Sequence, residues 1–300
     1  MLPFNTIHQG CCLEVMKDIP DKSIDMILCD LPYGTTACKW DTIIPFVELW
    51  KQYERIIKNN GAIVLTASQP FTSALVMSNP KLFKHSWIWE KQKASNFMCM
   101  KYQPAKYHED IVVFGKKTVK FNPIKWIVDE SKRDKRKTVN NPITNKDCHL
   151  GKIARTRKAD DGSRYPKSII KIDKKINSNL HPTQKPVKLF EYLIKTYSDK
   201  GCLVLDNCAG SGTTAIASIN TGRNWICIES DKKYFEIAQK RIEEHSQQST
   251  LLPLTENSKE DGIPPTPKGM GIQKSLFLLL LLPKSCIKEY HLFYPENHKV

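Results

Sequence analysis

The sequence has ten cysteines but no C-x-x-C pair. A zinc site built on such pairs has no support, and no metal is expected. Cys11 and Cys12 are adjacent, a poor spacing for one ion. No basic start followed by an apolar stretch opens the chain, so no export signal is read. Cysteines without such a signal are expected as reduced thiols, not as a disulfide framework. The longest apolar run, Leu276 to Leu282, has seven residues. A bilayer span needs roughly 20. No membrane attachment is expected, and a cytoplasmic protein is the consistent reading. Two nucleotide signatures are also missing: no G-x-x-x-x-G-K-S/T and no full G-x-G-x-x-G. Acidic residues are scarce, with 31 Asp+Glu against 46 Lys+Arg, a net charge of +15. An excess of that size usually seeks phosphate: nucleic acid, an anionic membrane or an acidic partner.

The excess is not evenly spread. Residues 116–175 hold 19 Lys+Arg and 7 Asp+Glu, a net of +12 in a fifth of the chain. Hydrophobic periodicity is weak there, so the stretch reads as a loop-rich insert. On both sides the pattern alternates between strands and helices, which points to a layered α/β fold. Before the insert, strands are expected at 23–30, 62–66, 86–90 and 110–114. A helix is expected over 46–58, with Val47, Trp50 and Ile57 on its apolar face and Asn60-Gly61 as its stop. After the insert, Pro186 suits a first helical position, followed by Val187, Phe190, Leu193, Ile194 and Tyr197. Strands at 202–206 and 224–229 flank a helix over 213–220. A further amphipathic helix runs through Tyr234, Ile237, Ala238, Arg241 and Ile242. Beyond about residue 247 the pattern fails.

Three motifs carry chemistry. In Asp206-Asn207-Cys208-Ala209-Gly210-Ser211-Gly212-Thr213-Thr214, a strand ends in an acid and a glycine turn opens a helix. Glycines let a ligand approach the backbone. Glu229 follows 23 residues later at the next strand end, a spacing that suits a carboxylate on ribose hydroxyls. A purely structural turn is the competing reading. In Asp30-Leu31-Pro32-Tyr33-Gly34, a carboxylate, a carbonyl, a proline and an aromatic ring meet at another strand end. An amino group on a flat ring could donate to Asp30 and the Leu31 carbonyl, with Tyr33 stacked on the ring. A plain turn is again the alternative. In His181-Pro182-Thr183-Gln184-Lys185-Pro186, two prolines fix an extended loop before a helix.

Taken in order, D-x-P-Y, a basic middle, H-P-T-Q-K-P and D-x-x-x-G-S-G-T-T resemble the β-group of amino DNA methyltransferases. The likeness covers roughly residues 5 to 245. Ile88-Trp89-Glu90-Lys91 and His108-Glu109-Asp110-Ile111 agree with it. The stretch Asp30 to Asp41 is similar to phage- and prophage-type, adenine N6-specific enzymes. The resemblance implies a Rossmann-like S-adenosylmethionine-dependent methyltransferase sheet with permuted motif order. Residues 1–115 would be its catalytic half and 116–180 a basic target-recognition insert. Residues 181–246 would be its cofactor-binding half; residues 247–300, which lie outside the resemblance, are expected as a disordered tail because the pattern fails there.

The resemblance also implies roles. Asp30, Leu31, Pro32 and Tyr33 match the catalytic motif. Asp206, Cys208, Gly210, Gly212 and Thr213 match the loop that holds S-adenosylmethionine. Glu229 matches its ribose-binding acid. Thr183, Gln184 and Lys185 match the segment near the methionine end of the cofactor. The implied partner is double-stranded DNA, and the family admits a homodimer and a restriction endonuclease beside it. The family often has Gly-Asp near its start, whose acid binds the cofactor adenine; here the residues are Gly10-Cys11. A lost hydrogen bond of that kind costs about 1–3 kcal/mol of binding. Ring-carbon methylation of cytosine uses a Pro-Cys thiol in the enzymes that perform it, and no Pro-Cys is present. The alternatives are cytosine N4 methylation and a catalytically impaired DNA-binding remnant.

Overall fold

The computed structural model describes residues 2–36, 38, 41–134, 159–173 and 184–251. The chain opens with β1 (Thr6–Gln9), the short helix α1 (Cys12–Val15) and β2 (Ile24–Asp30). Then come α2 (Phe46–Ile56), β3 (Ile57–Ala67), α3 (Phe71–Ser78), β4 (Phe83–Glu90) and β5 (His108–Phe114). The insert contributes β6 (Trp126–Ile127), β7 (Ser163–Arg164) and β8 (Ile169–Lys171). The last part holds α4 (Val187–Tyr197), β9 (Leu203–Asp206), α5 (Thr213–Thr221), β10 (Asn224–Glu229) and α6 (Lys232–Leu251).

Eight strands form one sheet in the order β1-β10-β9-β2-β3-β5-β4-β8. β5 runs antiparallel to β3 and to β4, and the other pairings are parallel. Strand alternation sorts the side chains onto two faces. Ile27, Cys29, Ile63, Leu65, Val112 and Phe114 meet Leu49, Trp50 and Tyr53 of α2 on one face. Met26, Leu28, Ala62, Val64, Ile111 and Val113 meet Leu189, Phe190, Leu193 and Ile194 of α4 on the other. Each buried Leu, Ile, Val, Met or Phe side chain among them contributes about 1.5–3 kcal/mol relative to exposure. The sheet is thus covered on both sides, as parallel strands require.

The chain winds outward in two directions from the β9–β2 pair: β2 leads to β3, and β9 leads to β10. That pair is the point where strand order reverses. Ligands of open α/β sheets bind at the carboxyl ends of the strands beside such a point. Asp30 ends β2 and Asp206 ends β9, so the topology brings two strand-end acids to one crevice.

Several expected boundaries move. α2 ends at Ile56, and its buried face is Leu49, Trp50, Tyr53 and Ile56. Val47 is exposed. Asn60-Gly61 is no helix stop but lies inside β3, which starts at Ile57. A Cβ on Gly61 would sit 2.8 Å from the Asp25 carbonyl and from the Ile57 side chain. The glycine therefore serves close strand approach rather than a cap. Pro186 precedes α4 in extended conformation instead of opening it. The end of the insert supplies β8, which joins the main sheet beside β4. α6 continues to Leu251, past the residue where the amphipathic pattern fades. The basic run at 135–137, the four basic residues between 152 and 158, the leucine run and the segment 252–300 lie outside the described residues.

Candidate active site

Asp30 is the hub of the first half of the site. Its Oδ1 accepts from the Tyr33 hydroxyl at 2.8 Å and from the Thr66 hydroxyl. Its Oδ2 accepts from Lys185 Nζ at 2.7 Å. The Lys185 ammonium also lies 3.3 Å from Glu109 Oε2, and Lys91 pairs with Glu109 Oε1 at 2.9 Å. Two carboxylates and two ammonium groups thus alternate along one line. Burial works against the Lys185 charge, but Asp30 and Glu109 outweigh it and raise its pKa. Burial likewise works to raise Glu109, but Lys185 and Lys91 overcome it and hold the carboxyl below its usual range.

The residues after Asp30 divide their work. The Leu31 side chain is buried in the core cluster that includes Leu49 of α2 and Phe71 of α3. The Tyr33 ring stacks on Phe71 with centroids 5.1 Å apart. Lys185 Nζ lies 5.6 Å from the centroid of the same ring. Tyr33 is therefore fixed at its hydroxyl by Asp30 and along its ring by Phe71. Past it, Asp41 accepts from the backbone N–H groups of Gly34, Thr35 and Thr36 at 2.8, 2.9 and 2.7 Å. Burial opposes the Asp41 charge, but the Thr36 hydroxyl and these N–H groups lower its pKa. The acid acts as a clasp on the loop.

The second half is the glycine turn after β9. Asp206 is buried, and burial raises its carboxyl to about 6 against the Thr214 hydroxyl and the Cys208 N–H. The Cys208 N–H donates to Asp206 Oδ1 at 3.0 Å. The Cys12 thiol works to lower the Cys208 thiol, but Cys29 and burial outweigh it and hold it well above its usual range. A thiol in that state is a poor nucleophile. Glu229 receives the Gly210 N–H at 2.7 Å and the Asp231 N–H at 2.9 Å. It therefore braces the same loop it was expected to serve beside. Gly210 and Gly212 both take left-handed backbone angles, +52° and +76° in φ. A Cβ on Gly212 would come within 3.0 Å of Ile242 and 3.3 Å of Ala238 on α6. Arg241 of α6 donates to the Ser211 carbonyl at 2.8 Å and to the Thr213 hydroxyl at 3.2 Å.

A buried bond joins the halves: the Tyr53 hydroxyl of α2 donates to Asn207 Oδ1 at 2.5 Å. The side-chain oxygen of Gln184 is buried with no hydrogen-bond partner among the described residues. His181 and Thr183 lie outside them. Lys185 was expected near a cofactor and is found on Asp30. Thr66, Phe71, Tyr53, Asn207 and Arg241 carried no expected role. Glu109, Lys91 and Asp41 stood inside family-like stretches, but nothing there marked them as ion partners or clasps. A hollow of about 540 Å³ lined by Asn5, Arg223 and Trp225 lies at the opposite end of β10 from Glu229, so it is not part of this site.

A strand-end acid with an aromatic neighbour, beside a glycine turn backed by a second acid, defines a Rossmann-like methyltransferase sheet. Comparison with known proteins agrees. The DNA methylase family matches residues 24–240, and the chain belongs to that family. It is 31% identical over 268 residues to the type II methyltransferase M.HinfI of Haemophilus influenzae, covering 80% of this chain and 68% of that protein. It is 28% identical over 257 residues to the DNA adenine methyltransferase YhdJ of Escherichia coli K12, covering 79% and 82%. The solved structure of the M1.HpyAVI–SAM complex shares the fold at 24% identity and a TM-score of 0.52, covering 79% of this chain and 98% of that one. The cytosine-N4-specific PvuII DNA methyltransferase shares it at 14% identity and a TM-score of 0.56, covering 81% and 91%. No helix of the described residues is long and apolar enough to cross a membrane.

Proposed function

We propose that the chain transfers a methyl group from S-adenosylmethionine to N6 of an adenine flipped out of double-stranded DNA. The observation that carries this reading is the meeting of the Asp30 motif and the Asp206 turn at one crevice of the sheet. Adenine is favoured by the likeness to YhdJ, which extends along most of both chains.

The residues fit the cofactor. The left-handed Gly210 and Gly212 shape the turn at the head of α5, where the cofactor would lie against the backbone. Asp206 is a buried acid with an elevated pKa, which a cationic amine would relieve. The buried Gln184 oxygen has no partner among the described residues and is offered as a further acceptor for the cofactor. Glu229 keeps free lone pairs for ribose hydroxyls. When bound, S-adenosylmethionine supplies an electrophilic methyl group on a positively charged sulfur.

The chain's own residues do the positioning. A base inside a duplex must leave the stack to be reached. Asp30 and the Leu31 carbonyl accept the N–H groups of its exocyclic amine and aim the nitrogen lone pair at the methyl group. Tyr33, backed by Phe71, is the stacking surface for the ring; removing such stacking costs about 1–3 kcal/mol. As the new N–C bond forms, the nitrogen becomes cationic and sheds one proton, which Asp30 is placed to accept. No enzyme–base bond is required, and the high pKa of the Cys208 thiol suits that. The rate gain comes from positioning.

Two expected outcomes test the cofactor side. Gly212→Ala is expected to lower stability by about 1–3 kcal/mol through left-handed strain and to weaken S-adenosylmethionine binding; melting and calorimetric titration read both. Because Asp206 is raised to about 6, its charge is lost as the pH falls through 6. Cofactor affinity is therefore expected to drop from pH 7 to pH 5, and Asp206→Asn to flatten that dependence.

The insert 116–180 is read as the region that holds DNA. Part of its described charge is already paired: Lys120 with Asp199, Lys132 with Asp129, and Arg164 with Asp160. Duplex affinity is expected to fall with salt by a log–log slope near 0.9 per phosphate contacted. A flat dependence in a binding titration contradicts the DNA role. Tritium transfer from labelled S-adenosylmethionine to duplex DNA, RNA and protein tests the substrate class. Label confined to DNA is the expected result.

A further inference from the structure

The link between β4 and β5 leaves the sheet at the Asp30 end. Asp30 pairs with Thr66, Thr66 with Ile111, and Glu90 with His108 across adjacent strands. The link is a built finger rather than a slack loop. At its neck, the Lys91 N–H donates to the Tyr107 carbonyl at 2.7 Å and the Ser95 N–H to the Lys106 carbonyl at 3.0 Å. The Asn96 side chain clamps it, accepting from the Lys106 N–H at 2.7 Å and donating to the Pro104 carbonyl at 2.9 Å. At its tip, a tight turn over Phe97–Cys99 is closed by the Cys99 N–H on the Asn96 carbonyl at 2.9 Å, and the next turn by the Tyr102 and Gln103 N–H groups on the Cys99 carbonyl, at 2.9 and 3.1 Å. Its root is tied to the site through Lys91 and Glu109.

The tip is apolar and faces solvent. Phe97 is 71% exposed, Met98 78%, Met100 48% and Tyr102 87%. Single exposed apolar residues are normal; four on one short ordered tip form a patch that marks an interaction surface. The finger also carries Lys91, Lys93, Lys101 and Lys106, with no Asp or Glu between Glu90 and Glu109. That composition fits a polyanion with an apolar interior. In a chain of net charge +15, it does not favour the like-charged surface of a second copy.

We propose that residues 91–107 enter the DNA duplex beside the target base, with Phe97 and Met98 wedged into the stack the base leaves. This rests on the reading of the chain as a DNA methyltransferase. Apolar wedges between base steps are a known way to open a duplex, and the exposed Lys93 and Lys101 of the finger are free of the Glu109 pair that holds Lys91 and are the ones offered to phosphates.

The test uses the full chain, tritiated S-adenosylmethionine and unmethylated bacterial genomic DNA as the probe. The double variant Phe97→Ser, Met98→Ser is expected to lower the single-turnover transfer rate into duplex DNA at least tenfold. Its cofactor affinity and melting temperature are expected to match the wild type. A second variant, Tyr102→p-benzoylphenylalanine, is expected to photocrosslink to the same DNA. A wild-type rate in the double variant overturns the finger and leaves the methyltransferase reading standing. So does crosslinking to a second protein chain, or no DNA crosslink. Failure of the wild type to label DNA overturns both.

Discussion

Asp30→Ala is expected to abolish methyl transfer while leaving DNA binding measurable. The substitution removes the group proposed to aim the amine and take its proton. Losing one aligned charge-stabilising group lowers the rate roughly 10²–10³-fold, and losing the proton acceptor adds to that. The variant also strips the Tyr33 and Thr66 hydroxyls of their shared acceptor and Lys185 of one carboxylate. The DNA contacts proposed for the insert do not involve Asp30. Tritium transfer and a duplex binding titration on the same preparation read the two properties. Retained transfer in Asp30→Ala sinks the site assignment.

Lys185→Met is expected to have the largest effect on stability. The ammonium is 7% exposed and sits between Asp30 at 2.7 Å and Glu109 at 3.3 Å. Without it, two carboxylates face each other with only Lys91 as counterion. Breaking a buried pair from one side costs about 3–5 kcal/mol. The low end applies because both carboxylates keep some solvent contact. At roughly 2–4 °C per kcal/mol for a domain of this size, the melting temperature should fall by roughly 6–12 °C. The pH dependence has a fixed sign. The Lys185 pKa is raised, so its stabilisation is fully present below the ordinary lysine value and lost as pH rises through the raised one. The Glu109 pKa is lowered, so its stabilisation is present above the ordinary carboxylate value and lost as pH falls through the lowered one. The gap between wild type and variant should therefore be widest through the neutral range and shrink at both extremes. Melting curves across pH check this; a gap that widens toward acid contradicts the ion pair.

Strands were legible because apolar runs such as Met26–Cys29 and Ala62–Leu65 are short and end in polar turns. The acids at two strand ends were legible because Asp30 and Asp206 each close such a run. What was not legible is what each acid touches. Lys185 lies 155 residues from Asp30 in sequence, and Tyr53 lies 154 from Asn207. Only the sheet order brings them together. Asn60-Gly61 misled because the same dipeptide serves a helix stop or a tight strand crossing, and the neighbour Asp25 decides which. The finger escaped notice because Phe97, Met98 and Met100 show no period of either helix or strand, and only their exposure reveals them.

The most direct test of the account is a base-resolution map of modified nucleosides in DNA from a methylation-deficient host expressing the chain. The account predicts N6-methyladenine at one short recurring sequence, absent when Asp30→Ala is expressed at the same level. N4-methylcytosine at such a sequence would contradict the choice of base. Unmodified DNA from cells holding folded, cofactor-binding protein would contradict the transfer itself.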